Sequence, residues 1–212
     1  MQRLWAVLAG ILLCAAGPAT TPAPGPLRIV GTESSGGCIA GAVRLPAEGT
    51  GFQTIHLGHS SFWGAAPTIE RVKLLGQQAK AAGLADFYVE DISNPRGGPM
   101  AGGHASHQMG LDVDIGLDPR PKPALTAAQR ETVEVVSVVR PDRRGVDSAR
   151  WTPAVTTLLR LAATLPGMTA RGLGHVVNLG STAGIAPFPG MPVYGMTKAA
   201  IHNLCQTLRL DL

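Results

Sequence analysis

A chain of 212 residues with 45% hydrophobic and 15% charged residues is long enough to bury the core of one ordinary domain or of two small ones. Its basic residues give a formal net charge of +4 but are scattered along the chain rather than gathered in a stripe, which argues against a nucleic-acid-binding protein. Glycine (27) and proline (17) are frequent but stay below the level of a low-complexity chain, so the composition predicts a globular protein with many loops.

The first 23 residues have the order of a secretory signal peptide. Arg3 precedes an apolar run over residues 4–16, and small residues and prolines follow the run. Because the run is too short to cross a bilayer, we expect export to the periplasm without a stable membrane span. A buried first helix is the alternative, but the lone arginine and the small residues near residue 23 favour export.

The cysteines and the residues after the signal peptide bear on the exported form. Cys14 raises the alternative of a lipoprotein signal, but the leucines before it suit that processing poorly. In an oxidising compartment Cys38 and Cys205 have the opportunity to pair, and Cys38 is interpreted as a structural cysteine rather than a metal ligand. Residues 24–37 are rich in proline, glycine and serine, which predicts a flexible leader that ends where ordered structure begins at Cys38.

Local patterns along the rest of the chain predict a mixed α and β order of elements. Apolar residues at helical spacing between Pro67 and Gly83 indicate a helix, and Thr126 with Gln129 three residues later forms a capping box ahead of another. A proline after Thr152 opens a further helix. The predicted helices cover residues 67–82, 126–139, 153–165 and 193–212, and the predicted strands cover residues 85–92, 111–117 and 174–180.

Residues 111–117 alternate between large apolar side chains and polar or small ones. Such alternation predicts a half-buried strand, one face of which carries the carboxylates of Asp112 and Asp114. The predicted apolar face consists of Leu111, Val113, Ile115 and Leu117.

A glycine-rich loop over residues 94–110 leads straight into this strand and contains His104 and His107. Zinc takes imidazole nitrogen and carboxylate oxygen in a tetrahedral shell, so a loop histidine and an aspartate of the next strand suit it as ligands. His107 and Asp114 fit that role, while Asp112 either replaces Asp114 or orients a histidine ligand. The alternative is a polar loop whose side chains only hydrogen-bond to exposed backbone.

The run GGHASHQMGLDVDI at residues 102–115 resembles the signature of the penicillin-insensitive murein endopeptidases, within the wider group of D-alanyl-D-alanine metallopeptidases. The resemblance extends back to GCIAGA at residues 37–42 and forward to WTP at residues 151–153. It implies an α+β metallopeptidase domain over residues 38–165, which is incomplete by comparison with the family.

The resemblance also implies particular roles for the residues of the loop and strand. His107 and Asp114 match the ligands of the catalytic Zn²⁺ in that family, and His104 matches a ligand of a further metal site. Asp142 aligns loosely with another ligand of that second site. The implied activity is zinc-activated hydrolysis of peptide bonds, and the implied substrate and partner is peptidoglycan, cut at its D-amino-acid cross-links.

The sequence departs from the family in its histidines. The family completes its zinc shell with a downstream His-x-His pair, whereas the histidines after Asp114 in this chain are the isolated His175 and His202. His56 and His59 have a ligand-like spacing but lie outside the signature, and we interpret them as surface residues. With two of the three usual protein ligands we expect weak metal binding and little or no hydrolysis, which leaves a non-catalytic wall-binding protein as an alternative.

Residues 171–212 resemble a different family, the short-chain dehydrogenases and reductases. The segment GHVVNLGSTAGIAPFPGMPVYGMTKAAIHNLC places Ser181, Tyr194 and Lys198 at the spacing of that family's catalytic residues, with Tyr194 and Lys198 on one helix face. This predicts the strand, loop and helix of a Rossmann-type fragment and offers an NAD(P)-dependent oxidoreductase as the alternative function. The glycine-rich turn that holds dinucleotide phosphates is missing, so we expect the three residues to be vestigial.

Overall fold

A four-stranded sheet and one long helix form the centre of the computed structural model, which describes residues 20–32, 36–100, 106–118, 120–142 and 145–165. The strands are β1 (Arg28–Thr32), β2 (Gly36–Ala40), β3 (Val43–Arg44), β4 (Glu48–Gly49), β5 (Phe52–Thr54), β6 (Trp63–Gly64), β7 (Phe87–Val89) and β8 (Ile115–Gly116). The helices are α1 (Ala66–Ala81), α2 (Ala127–Thr132) and α3 (Pro153–Ala163), and a short 3₁₀ turn covers Leu57–His59. The predicted α+β class is confirmed for this part of the chain.

The central sheet has the strand order β4-β5-β7-β8. Strands β5 and β7 are parallel and are connected through α1, while β4 and β8 add to the two edges in antiparallel fashion. Three apolar residues of β5 and β7, Phe52, Phe87 and Val89, are almost fully buried. The sheet therefore buries apolar side chains against helices, as parallel strands usually do.

Helix α1 confirms the helix predicted at residues 67–82. Pro67 lies in its first turn, where a missing N–H costs no hydrogen bond, and Gly83 follows the helix with a positive φ of 74°. The predicted apolar spacing places Ile69, Val72 and Leu75 in the core cluster. Helix α3 confirms the helix predicted at residues 153–165 and packs against α1.

The helix predicted at residues 126–139 is wrong in its length. The capping box is present, because Thr126 Oγ1 accepts from Gln129 N and Gln129 Oε1 accepts from Thr126 N, but α2 ends at Thr132. Val133 already has extended backbone, and the residues that follow include several valines, whose branched Cβ disfavours helix. One of them, Val138, is buried but does not belong to a helix.

The strand predicted at residues 111–117 is also shorter in the structure, where only Ile115 and Gly116 form β8. The N–H of Val113 donates to the carboxylate of Asp112 at 3.0 Å, which removes a donor from the ladder. Val113 and Ile115 pack against the core as predicted, but Leu111 is more than half exposed. The strand predicted at residues 85–92 shortens to β7 because its partner β5 has only three residues.

The flexible leader predicted at residues 24–37 is corrected by the structure. Strand β1 lies within it and pairs with β2 in an antiparallel hairpin, with Val30 opposite Cys38. Ala23 is buried, and its carbonyl accepts a hydrogen bond from Gly41 N at 2.9 Å. Ordered structure therefore begins well before Cys38.

Several predictions fall on residues that the structure does not describe. The signal peptide is predicted at residues 1–23, of which 1–19 lie outside the described part, and so do Cys14 and Cys205. The strand, loop and helix predicted over residues 171–212 lie outside it as well. Within the described ranges, no helix has both the length and the apolar character needed to cross a membrane.

Candidate metal centre

The site is built around the ring of His107, which is almost completely buried. Its Nδ1 lies 3.1 Å from the carbonyl oxygen of Ile92, and because a carbonyl only accepts, Nδ1 is the nitrogen that carries a proton. This fixes the ring so that Nε2 points at two carboxylates. Nε2 lies 3.1 Å from Asp114 Oδ2 and 3.5 Å from Asp112 Oδ2.

Asp114 reaches the site from a backbone that is tied to the end of β7. Its N–H donates to the carbonyl of Asp91 at 2.8 Å, and its own carbonyl accepts from Glu90 N at 3.0 Å. These two bonds fix the strand segment that carries the carboxylate. The side chain of Asp114 remains 39% exposed, so the site is open on this side.

Asp112 lies two residues earlier and is held through its side chain. Its Oδ1 accepts from Val113 N at 3.0 Å, and its Oδ2 accepts from the hydroxyl of Ser106 at 2.5 Å. The carboxylate is thereby oriented with Oδ2 towards His107.

The electrostatics of the site favour a positive charge next to the two carboxylates. Burial alone would lower the pKa of His107, but the hydrogen bond and charge of Asp114, together with the charge of Asp112, raise it to about 8. With a neutral imidazole, two carboxylates leave a net charge of about −2, which matches a divalent cation. The donor set of one imidazole nitrogen and carboxylate oxygens therefore fits a zinc ion.

The glycine-rich loop that carries His107 is called the histidine loop, and its described parts are residues 94–100 and 106–110. Hydrogen bonds to β2 hold it in place. Gly37 N donates to the side-chain oxygen of Gln108 at 3.1 Å, and Gly98 N donates to the carbonyl oxygens of Gly37 and Gln108. Gly97 has a positive φ of 70°, and a Cβ there would overlap the Gln108 carbonyl oxygen. The abundance of glycine before His107 thus permits the close approach of three backbone segments.

The other end of the loop is anchored on the start of α1. Gly110 has a positive φ of 68°, and its carbonyl accepts from Ala65 N at 2.9 Å. A Cβ at this position would lie only 2.8 Å from Gly64 Cα. Gly97 and Gly110, which flank His107 in the sequence, are therefore both held by close backbone contacts, which limits the positions that His107 can take.

The structure brings together His107, Asp112 and Asp114, whose ligand atoms all lie within 4.8 Å of one another. His104 lies outside the described residues, as do Ser181, Tyr194 and Lys198.

The remaining candidates lie elsewhere in the chain. His56 and His59 stack on each other with ring centroids 5.4 Å apart, and His59 is exposed, in line with a surface pair. Asp142 is exposed and forms an ion pair with Arg140 at 2.7 Å.

Sequence reasoning missed three contributors to the centre, namely the Ile92 carbonyl, Ser106 and Gln108. Their roles depend on contacts that no spacing reports, because Gln108 meets a residue 71 positions away and Ile92 acts through its backbone. Ser106 was the nearest to being found, since it precedes His107 directly in the sequence and carboxylates in metal sites are usually hydrogen-bonded.

Comparison with known proteins adds two family matches. Residues 29–170 match the model of a family described as penicillin-insensitive murein endopeptidase. Residues 152–212 match the model of the short chain dehydrogenases, so the two matches overlap in and around α3.

Curated relatives agree with the first match. A penicillin-insensitive murein endopeptidase of Haemophilus influenzae is 41% identical over 133 residues, which cover 63% of this chain and 46% of that protein. The protein of the same name in Escherichia coli O157:H7 is 36% identical over 163 residues, which cover 76% of this chain and 59% of that protein. The chain thus spans about half the length of the curated relatives it matches. Because the first family model covers well over half of its residues, the chain belongs to the penicillin-insensitive murein endopeptidase family.

Proposed function

We propose that this chain carries the zinc centre of an exported endopeptidase that cuts D-amino-acid cross-links of peptidoglycan, with His107 and Asp114 as zinc ligands. The observation that carries the proposal is the convergence of a buried imidazole nitrogen with two carboxylate oxygens. Family membership supports the reaction class, because the matched relatives are named murein endopeptidases. Zinc, the D-amino-acid specificity and the periplasmic address are parts of the proposal.

The residues of the site have distinct tasks in such a reaction. A zinc ion, when bound, would supply Lewis-acid activation of water and of the scissile carbonyl group. The Ile92 carbonyl keeps the proton of His107 on Nδ1, so that the lone pair of Nε2 faces the site. The exposed side of Asp114 leaves room for a peptide to approach.

Activity is expected to be low because the family's downstream His-x-His pair has no counterpart in this sequence. One histidine of that pair is a ligand in the family, and the other assists proton transfer. A centre without them should position its water poorly. We therefore expect slow release of peptidoglycan fragments compared with a relative that has the pair.

The test is an assay of the purified full-length chain on isolated peptidoglycan sacculi, with released muropeptides separated by chromatography. We expect slow release that depends on added zinc and disappears in His107→Ala. His59→Ala is the matched control, since it removes an exposed histidine that does not belong to the cluster of His107, Asp112 and Asp114, and it should leave the rate unchanged. Release that persists in His107→Ala would refute the proposed centre, and binding to sacculi without release would favour a non-catalytic wall-binding protein.

A second candidate function, dinucleotide binding, is favoured by the dehydrogenase match over residues 152–212. The sequence contains no G-x-G-x-x-G turn to receive the cofactor phosphates, so we expect no measurable binding. Titration of the full chain with NADPH, followed by fluorescence, tests this expectation. Saturable binding that is lost in Lys198→Ala would support the second candidate instead.

A further inference from the structure

The third side chain of the site, Asp112, lies at a distance from His107 that suits a shared metal. Tetrahedral zinc with bonds of about 2.0–2.2 Å separates its ligand atoms by about 3.3–3.6 Å. Asp112 Oδ2 lies 3.5 Å from His107 Nε2, and Asp114 Oδ2 lies 3.1 Å from it. By this measure Asp112 is as well placed as Asp114.

The hydrogen bonds of Asp112 are those of a ligating carboxylate. Oδ1 accepts from Val113 N. Within the described residues, Oδ2 accepts one hydrogen bond, from Ser106, which leaves a lone pair for another partner. Carboxylate ligands are commonly oriented by such an outer hydrogen bond. The side chain is 25% exposed, which leaves the oxygen accessible from the site.

Charge gives an independent reason. Two carboxylates this close to one histidine repel each other unless a cation lies between them. One aspartate and one neutral imidazole would leave a divalent ion with a net positive charge, whereas two aspartates neutralise it. The local sequence D-V-D at residues 112–114 puts both side chains on the same side of the segment.

We propose that Asp112 is a third protein ligand of the metal and that Ser106 is the residue that orients it. The inference rests on the zinc centre proposed above and deepens it. The described residues then provide three donors, one nitrogen and two oxygens, without the downstream histidine that the family uses. The chain would hold its metal through a local segment of nine residues, from Ser106 to Asp114.

The direct test uses cobalt(II) as the probe in the full-length chain with Asp112→Cys. A thiolate bound to cobalt produces a sulfur-to-metal charge-transfer band in the near ultraviolet, which appears only if position 112 lies in the coordination sphere. Asp114→Cys is the positive control. Glu70→Cys, on the exposed face of α1, is the negative control for an added thiol.

We expect the band with Asp112→Cys and Asp114→Cys but not with Glu70→Cys. A band with Asp114→Cys alone would overturn the inference and leave the proposed zinc centre standing. If neither cysteine variant gives a band and the parent chain binds no zinc, the proposed function fails, and the inference fails with it.

Zinc affinity, measured by competition with a chromophoric chelator, provides a second readout if the cysteine variant does not fold. Loss of an outer hydrogen-bond partner lowers metal affinity about 10–100-fold, so we expect a reduction of about tenfold for Ser106→Ala and of more than about 100-fold for Asp112→Asn. Asp112→His should restore binding, since imidazole is also a zinc ligand. An Asp112→His variant that binds zinc no better than Asp112→Asn would overturn the inference.

Discussion

Three aspartates within seven residues, Asp112, Asp114 and Asp118, lie in two different environments in this structure. The first two face the ring of His107 and remain partly exposed. Asp118 is buried, and its two oxygens accept from Arg120 Nε at 2.8 Å and from Arg120 Nη2 at 2.6 Å. The same residue type therefore forms a partly exposed pair of carboxylates beside an imidazole at one end of the segment and an ion pair with arginine at the other.

The difference follows from the charge that the neighbouring sequence supplies. Arg120 lies two residues after Asp118, and its guanidinium matches the carboxylate in a two-bond geometry. Burial would raise the pKa of Asp118, but the hydrogen bonds from Arg120 outweigh it and lower the pKa. A carboxylate saturated in this way has little capacity left for a metal. Among the described residues, the group that can carry a positive charge next to Asp112 and Asp114 is the imidazole of His107.

The largest effect is expected from replacing Asp114, with the same replacement at Asp118 as the matched control. Asp114→Asn is expected to lower zinc affinity by more than about 100-fold, because it removes a proposed ligand and not merely an outer partner. Asp118→Asn makes the same change of charge on the same segment and should leave zinc affinity unaltered. Chelator competition on both variants measures the difference, and an equal loss in both would show that total negative charge, rather than ligand position, determines binding.

A smaller effect is expected from moving the histidine loop. Gly97→Ala combines a positive φ with an overlap on the Gln108 carbonyl, and we expect it to lower the free energy of unfolding by about 2–4 kcal/mol. Gly98 also has a positive φ but has open space around it, so Gly98→Ala should cost only about 1 kcal/mol. Urea unfolding measures both values.

Gly97→Ala also tests whether the site around His107 can be disturbed without affecting the ion pair of Asp118. Gly97→Ala should weaken zinc binding, since Gln108 is the neighbour of His107. The ion pair of Asp118 lies beyond this loop and should be unaffected. Equal stabilities of the two alanine variants would contradict the close approach at Gly97.

The smallest effect is expected in the loss of stability at acid pH that comes from the ion pair of Asp118. The folded pKa of Asp118 is lowered, so its ion pair stabilises the chain at pH values above the ordinary aspartate range and loses that contribution as the pH falls through the folded pKa. The urea midpoint of the parent chain should therefore fall more between pH 7 and pH 3 than that of Asp118→Asn. Parallel pH profiles for the two chains would contradict this assignment.

The sequence predicted the elements whose signals are local. Apolar spacing between Pro67 and Gly83 predicted α1, and the pair Thr126 and Gln129 predicted the start of α2. The end of α2 was predicted wrongly because the valines after Thr132 continue an apolar pattern while their branched side chains favour extended backbone. The leader was predicted wrongly because its composition does not show that β1 pairs with β2.

The sequence predicted that His107 and Asp114 lie together, but it did not predict the contacts that hold them in place. His107 and Asp114 follow from a motif in which residue types and spacing are preserved. The contact of Gln108 with Gly37 joins residues 71 positions apart, and the Ile92 carbonyl has no side-chain signature. Contacts of that kind depend on the tertiary fold, which local patterns do not encode.

Helix α3 lies where two unrelated family models overlap. Its packing determines where one coding segment can be joined to another without loss of the core. Leu158 and Leu165 belong to the same core cluster as Phe52 and Ile69, and truncating a buried leucine costs about 2–5 kcal/mol. A crossover placed before Leu165 must therefore be followed by a segment that supplies equivalent leucines, in the helix and just after it, if the core cluster is to stay filled. An exchange of coding segments that keeps the peptidase fold has to carry the original chain, or a close mimic of it, through residue 165.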